Sequence, residues 1–229
     1  MITQDGCAVD LWAALPAGDI PALLDAAMPR SASVLDLGTG AGRIAHPLMR
    51  AGHSVVAVDE SPEMLAHIRG AETVCSTIED LRLDRTFDVV LLASHLVNVP
   101  DDTVRGELLA TCRHHVRDDG LVLIQRFTLG WVEAADGRTR TEAGITSRLQ
   151  VVARPGPGLR AIVAEYHVGR RGWTQKYTTR VFDDDELDVH LARAGLRLDR
   201  WLSDDGRWVV AAPVPHARLA VRKPAPLLG

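Results

Sequence analysis

A short apolar run that ends in three alternating glycines constrains this chain most. Val34-Leu35-Asp36-Leu37-Gly38-Thr39-Gly40-Ala41-Gly42 reads as a buried strand passing into a turn and then a helix. Glycine at 38, 40 and 42 lets the backbone turn tightly, and it leaves no side chain where a ligand would approach. Asp36, at the strand end, can take the ammonium of an amino-acid moiety. The next apolar run, Ser54 to Val58, ends at Asp59-Glu60. Asp59 lies 21 residues after Gly38, where a carboxylate can accept both hydroxyls of a ribose. A dinucleotide fingerprint needs glycine at its sixth position. Here that position is Arg43, which argues against a nicotinamide oxidoreductase.

From Val34 to about Arg126 short apolar runs alternate with amphipathic stretches. Strands are expected at Val34 to Leu37, Ser54 to Val58, Thr73 to Cys75, Phe87 to Ala93 and Leu121 to Phe127. Helices are expected at Ala41 to Ala51, with Pro47 inside it, at Pro62 to Ile68 and at Asp102 to His115. Such alternation makes a parallel sheet with helices on both faces. After Phe127 the pattern changes. Ile145 to Ala153, Leu159 to Val168 and Thr174 to Phe182 read as strands parted by turn-rich Arg154-Pro155-Gly156-Pro157-Gly158 and Gly169-Arg170-Arg171-Gly172. They form an antiparallel meander. Asp183 then caps a helix through Ala194 that Gly195 ends. A closing hairpin spans Leu196 to Leu202 and Arg207 to Ala212, and the proline-rich tail from Pro213 to Gly229 is irregular.

The formal net charge is -4, and the arginines are scattered among acids, so no basic stripe favours a nucleic-acid substrate. Cys7, Cys75 and Cys112 have no framework spacing and point to a reduced, cytoplasmic protein. Met1 to Asp10 is no signal peptide, and no apolar stretch is long enough to span a membrane.

The stretches Val34 to Gly42, Gly52 to Met64, Ser76 to Leu83, Phe87 to Asn98 and Gly120 to Phe127 resemble the class I S-adenosylmethionine (SAM) dependent methyltransferases, especially small bacterial ones acting on metabolites or natural products. The resemblance implies one α/β domain over 1–229, with a Rossmann-like seven-stranded sheet whose last strand is antiparallel. Residues 131–182 would be an inserted antiparallel β lid over the acceptor. It implies that the loop Gly38-Thr39-Gly40-Ala41-Gly42 contacts the methionine part of SAM and that Asp59 holds the ribose. Glu60 and Met64 would lie against the adenine, and Trp12 would either cover the cofactor or join the core. Relatives place an acid at the position of Thr77 to receive the adenine amino group. A threonine hydroxyl can accept that bond more weakly, or the backbone of Ile78 can carry it.

The fourth strand ends at Ala93-Ser94-His95, which in this fold faces the methyl group. His95 is therefore the candidate base or acceptor-orienting residue, against the alternative of a structural histidine. The implied reaction moves a methyl group to oxygen or nitrogen of a small molecule and releases S-adenosylhomocysteine. A SAM-binding protein without transfer, and an RNA or protein methyltransferase, are the alternatives. Arg126, Trp131, Trp173, Tyr177 and Arg180 either line the acceptor pocket or belong to core and interface. His114-His115 suits a helix C-terminus and Asp183-Asp184-Asp185-Glu186 a helix N-terminus, rather than a metal. Exposed strand edges on the lid favour a homodimer.

Overall fold

A computed structural model describes residues 8–215. Cys7 and the tail from residue 216 onward lie outside the described residues. In chain order the elements are α1 (Val9–Ala14), α2 (Ile20–Ala27), β1 (Ser33–Leu37), α3 (Ala45–Arg50), β2 (Ser54–Asp59), α4 (Pro62–Leu65), β3 (Glu72–Cys75), β4 (Phe87–Leu92), α5 (Asp102–His115) and β5 (Val116–Gln125). There follow α6 (Leu129–Ala135), β6 (Thr139–Glu142), β7 (Ile145–Ala153), β8 (Leu159–Val168), β9 (Arg171–Arg180), α7 (Asp184–Arg193), β10 (Leu196–Trp201) and β11 (Trp208–Pro213).

The larger sheet has seven strands in the order β10-β11-β5-β4-β1-β2-β3. Strands β1 to β5 run parallel, and β11 lies antiparallel between β5 and β10. Alternation along β1 explains the two helical layers. Leu35 and Leu37 join Val58, Val90 and Leu92 in a core closed by Leu108, Leu109 and Cys112 of α5 and by Leu187 and Leu191 of α7. Val34 points the other way, to Val55, Val89 and Leu91, against Leu24, Ala45 and Leu48. Both faces are apolar, so both need helices. Four further strands form a separate antiparallel sheet, β6-β7-β8-β9.

Several boundaries differ from the sequence reading. Residues 41–44 are turn, and the helix expected from Ala41 starts at Ala45. Gly42 is still left-handed there, at φ +83°, so no helix can pass through it. Pro47 consequently falls in the first turn of α3, where its missing N–H costs little. Helix α4 stops at Leu65 rather than Ile68. Strand β4 stops at Leu92, because Ser94 and His95 turn left-handed. Strand β5 starts at Val116 rather than Leu121. In the smaller sheet, β9 runs from Arg171 to Arg180, not from Thr174 to Phe182. The segment expected to be all-β after residue 131 opens with a helix, α6, whose Trp131 N–H donates to the Thr128 hydroxyl at 3.3 Å. The extra strand β6 is fully exposed and polar, so it carries no apolar alternation to read. Helix α7 has the expected cap, with Asp183 and Glu186 forming a capping box.

One buried side chain ties the two sheets together. Asn98 is 1% exposed. Its Nδ2 donates to the carbonyls of Arg180 (2.7 Å) and Phe127 (3.3 Å), and its Oδ1 accepts the Phe127 N–H at 2.6 Å. Thr179 Oγ1 donates to the Asn98 carbonyl at 3.1 Å. The flanking turn is held by Arg105, fully buried, which donates to the carbonyls of Val97 (2.8 Å) and Val99 and pairs with Asp102. Replacing Asn98 with Ala orphans buried backbone groups on both sheets. The expected loss is about 2–4 kcal/mol of unfolding free energy in a urea titration, whereas Glu142→Gln on exposed β6 changes little.

Candidate active site

The carboxyl ends of β1, β2 and β4 converge on the glycine loop. Gly38, Gly40 and Gly42 have φ of +68°, +56° and +83°. The Thr39 N–H donates to the Val58 carbonyl at 2.8 Å, pinning the loop to the end of β2. Asp59 adds the second tie, accepting the Gly40 N–H at Oδ2 (2.8 Å) and the Ser61 N–H at Oδ1 (3.0 Å). The loop conformation and the acid at the second strand end are therefore one device.

The glycines differ in purpose. A Cβ at Gly38 would sit 2.6 Å from Leu96 Cδ1, and one at Gly42 would sit 2.6 Å from His46 Cε1 and 2.7 Å from Ile68 Cδ1. A Cβ at Gly40 would meet no protein atom within 4 Å. Gly40 thus borders open space on the ligand side, whereas Gly42 serves the turn.

Asp36 is 2% exposed and accepts the Thr39 hydroxyl at 2.6 Å. Burial pushes its carboxyl up to about 7, opposed by the Thr39 bond and by the charge of Arg43. A further cation beside it would favour the ionised form.

A cavity of about 780 Å³ gathers most of the predicted residues: Asp36, Gly38, Thr39, Gly40, Asp59, Glu60, Met64, Thr77, Ile78, Ala93, Ser94 and His95 all line it. Gly42 does not. Met64 is buried with Val9 and Ala41, and Trp12 packs on that cluster, so Trp12 is both a core contact and a wall of the cavity. Thr77 Oγ1 donates to the Asp80 carboxylate at 3.0 Å and accepts the Asp80 N–H at 3.2 Å. Its proton is spent, and the hydroxyl has only acceptor capacity left. The Ile78 carbonyl takes the Thr111 hydroxyl at 2.9 Å.

Ser94 and His95 are non-glycine residues at φ +54° and +61°, a costly pair of left-handed turns. The Ser94 N–H donates to Gln125 Oε1 at 2.9 Å, which helps to hold them. The His95 ring stacks on Phe127 at 3.7 Å with an 11° interplanar angle. It hydrogen-bonds the Arg126 backbone, while Nδ1 is buried without a protein partner. Burial, reinforced by the charges of Arg207 and Arg43, pulls the imidazole down to about 3, so the ring is neutral. A neutral ring bonded through its other nitrogen offers a lone pair at Nδ1.

The far wall of the cavity comes from the smaller sheet. Ser147 and Leu149 of β7, Tyr166 of β8 and Gln175 and Tyr177 of β9 line it, with Arg140 and Glu142 of β6. Of the residues expected to line an acceptor pocket or pack elsewhere, Trp131 and Tyr177 line this cavity; Arg126, Trp173 and Arg180 do not. Arg126 instead pairs with Asp184 and lies over the Trp201 ring, and Trp173 Nε1 donates to Asp10 at 3.2 Å. His115 is structural, with Nδ1 on the Thr111 carbonyl and Nε2 accepting the Leu83 N–H, each at 2.9 Å. Among the described residues no cluster of three His, Cys, Asp or Glu could hold a metal. Sequence reasoning missed Asn98 and Gln125, which gave no signal because their partners lie on other strands. Arg43 was read only as a departure from a fingerprint, yet it lines the cavity between Asp36 and Glu142.

The loop lies within the stretch that is similar to known proteins. Residues 34–120 match a family model described as a methyltransferase domain. The ubiquinone biosynthesis O-methyltransferase of Bradyrhizobium diazoefficiens is 29% identical over 109 residues, covering 43% of this chain and 41% of that protein. The chain thus matches about two fifths of the length of this curated relative. An uncharacterized methyltransferase of Mycobacterium tuberculosis is 43% identical over 79 residues, 32% of each chain. The CcbJ methyltransferase of Streptomyces caelestis superimposes with a TM-score of 0.72 at 22% identity over 89% of this chain and 92% of that one. SAM-bound CalS10, an amino pentose methyltransferase of Micromonospora echinaspora, gives 0.66 at 23% over 86% and 89%. These two likenesses show the fold.

The cofactor of such domains is SAM, and the residues present fit it. Open space lies above Gly40, a buried carboxyl wanting a cation lies beneath the loop, and a second carboxylate lies at the next strand end. Gly40→Ala should therefore fold, at a cost of about 1 kcal/mol for a left-handed alanine, yet lose SAM affinity by at least about tenfold in calorimetry. Gly42→Ala should show the reverse order of effects, with the larger loss in thermal stability.

Proposed function

We propose that the protein transfers a methyl group from SAM to an oxygen or nitrogen nucleophile of a small molecule, leaving S-adenosylhomocysteine. The observation that carries this reading is one continuous cavity, from the glycine loop past His95 to the inward face of the smaller sheet. Bound in it, SAM supplies an electrophilic methyl on a sulfonium. The protein's task is then to align, to exclude water and to receive a proton. Asp36 takes the ammonium end under the loop. Asp59 turns its remaining lone pairs to the ribose while it keeps the loop shaped. Glu60, Met64, Thr77 and Ile78 form the wall for the adenine, and Ala93 and Ser94 lie beside the reacting centre. His95 Nδ1 orients the acceptor through its hydrogen. Residues 131–182 act as the lid that shapes the acceptor half, within one domain. The relatives point the same way. CalS10 is named for an amino pentose and the Bradyrhizobium protein for ubiquinone biosynthesis. No described helix is long and apolar enough to cross a membrane. We place the protein in the cytoplasm, and a homodimer formed through the lid's strand edges is part of the same proposal.

Three outcomes test this reading. Asp59→Ala should weaken SAM by about 1.5–3 kcal/mol in calorimetry, and absence of SAM binding in the parent protein would overturn the whole proposal. His95→Ala should retain SAM affinity but lose about 10²–10⁴-fold in kcat on a cognate acceptor; unchanged turnover removes the role of the ring. The pH dependence follows from Asp36. A proton competes with the ligand's ammonium for that carboxyl, whose ordinary value of 3.8 is raised to about 7. SAM affinity should therefore climb by up to about tenfold per pH unit from about 5.5 towards 7 and then level off. Asp36→Asn should bind weakly, with no such slope.

A further inference from the structure

We propose that the acceptor is a planar phenol, held by its ring among aromatic side chains and by its hydroxyl hydrogen at His95 Nδ1. This rests on the methyl-transfer reading of the same cavity. The chain has only ten Phe, Trp and Tyr residues. Five of them line this one cavity: Trp12 at the cofactor end, and Phe127, Trp131, Tyr166 and Tyr177 at the acceptor end. Both tyrosines of the chain are among them. They come from separate elements, since Tyr166 and Tyr177 stand on β8 and β9 while Phe127 and Trp131 follow β5. Phe127 and Trp131 stack at 5.1 Å and 21°, and the His95 ring lies 6.1 Å from Trp131 at 26°. The Arg207 guanidinium lies over Trp131 at 4.9 Å. Near-parallel rings around one unpartnered nitrogen select a flat π-system.

The protonation state disfavours a basic alkylamine. An aliphatic ammonium ionises near 10, as lysine does. An imidazole held down at about 3 cannot take that proton before the methyl moves. The cations Arg43 and Arg207 around His95 also oppose an ammonium there. The acids nearby are engaged: Asp36 and Asp59 serve the loop, Glu142 lies against Arg43 and Arg140, and Asp205 pairs with Arg207. A phenol faces no such barrier. Its oxygen forms the bond to the methyl carbon as the carbon–sulfur bond breaks, and that electron pair stays on sulfur, which becomes a neutral thioether. The hydroxyl proton passes to Nδ1 as the carbon–oxygen bond forms, because a protonated ether is a far stronger acid than the imidazolium. The two arginines favour the negative charge that develops on oxygen, and the imidazolium returns its proton to solvent when product leaves.

The test loads the protein with S-adenosylhomocysteine and titrates it with 3,4-dihydroxybenzaldehyde, 1-naphthol, trans-1,2-cyclohexanediol and glucosamine. Tryptophan fluorescence and calorimetry read binding. The same four compounds are then incubated with methyl-labelled SAM. The two phenols should saturate below about 1 mM and accept label as a methyl ether. Trp131→Leu should weaken the phenols by about tenfold with S-adenosylhomocysteine affinity unchanged, and Trp131→Phe should restore most of that loss. Labelling of glucosamine in preference to the phenols, cyclohexanediol binding as tightly as 3,4-dihydroxybenzaldehyde, or neither phenol binding a protein that still binds S-adenosylhomocysteine would each overturn the phenol assignment. Failure to bind S-adenosylhomocysteine would instead strike the methyl-transfer reading beneath it.

Discussion

The carboxylate of Asp59 is the interaction on which the site depends. It holds the Gly40 N–H from the end of β2, and so it sets the shape of a loop belonging to β1. Parallel pairing puts those two strand ends side by side, with Leu37 opposite Val58. The loop can take its left-handed turns because its residues at 38, 40 and 42 are glycine, and it keeps them because a half-buried carboxylate is aligned with the Gly40 amide. The same pairing leaves Asp36 under the loop, deprived of water, with burial outweighing the opposing charge of Arg43. Burial raises that carboxyl to about 7, and a ligand cation beside it would favour its charged form. Site and ligand therefore share one electrostatic account.

Around this centre the protein combines rigid and costly parts. Ser94 and His95 adopt backbone conformations that L-residues avoid. They persist because Gln125 takes the Ser94 amide and Phe127 stacks under the His95 ring. Phe127 is fixed in turn by Asn98, which also grips the end of β9 through the Arg180 carbonyl. One amide side chain thus links the histidine, the end of β5 and the smaller sheet. Movement of that sheet relative to His95 would have to break bonds at Asn98, which fixes the far wall of the cavity.

Much of the fold was legible in the chain because local patterns and tertiary demands agreed. Strands β1, β2 and β4 are mainly apolar, as strands covered on both faces are. Asp101 and Asp183 cap α5 and α7, and both helices came out near their expected bounds. The reading weakened where no apolar period exists. Exposed β6, the short helix α6 and the early turn before α3 owe their form to packing and to left-handed glycine, not to periodicity. The cofactor half of the site was readable for a related reason. It is built from consecutive residues at strand ends, so its members lie close in sequence. On the far side the sequence names only Trp131 and Tyr177, among alternatives, because Trp131, Tyr166, Gln175 and Tyr177 meet only when β8 and β9 fold back over the end of β5.

By itself, then, the sequence determined the parallel sheet, the glycine turn and the acids that serve it, since strand alternation and glycine's freedom act over a few residues. Only the tertiary structure decided that His95 is neutral, stacked and without a protein partner at its buried Nδ1, that Gly42 serves the turn rather than the cavity, and that Asn98 fastens the second sheet. Those facts depend on burial and on partners up to 82 residues apart, as between Asn98 and Arg180. Neither burial nor such distant partners leave any mark on the local order of residues.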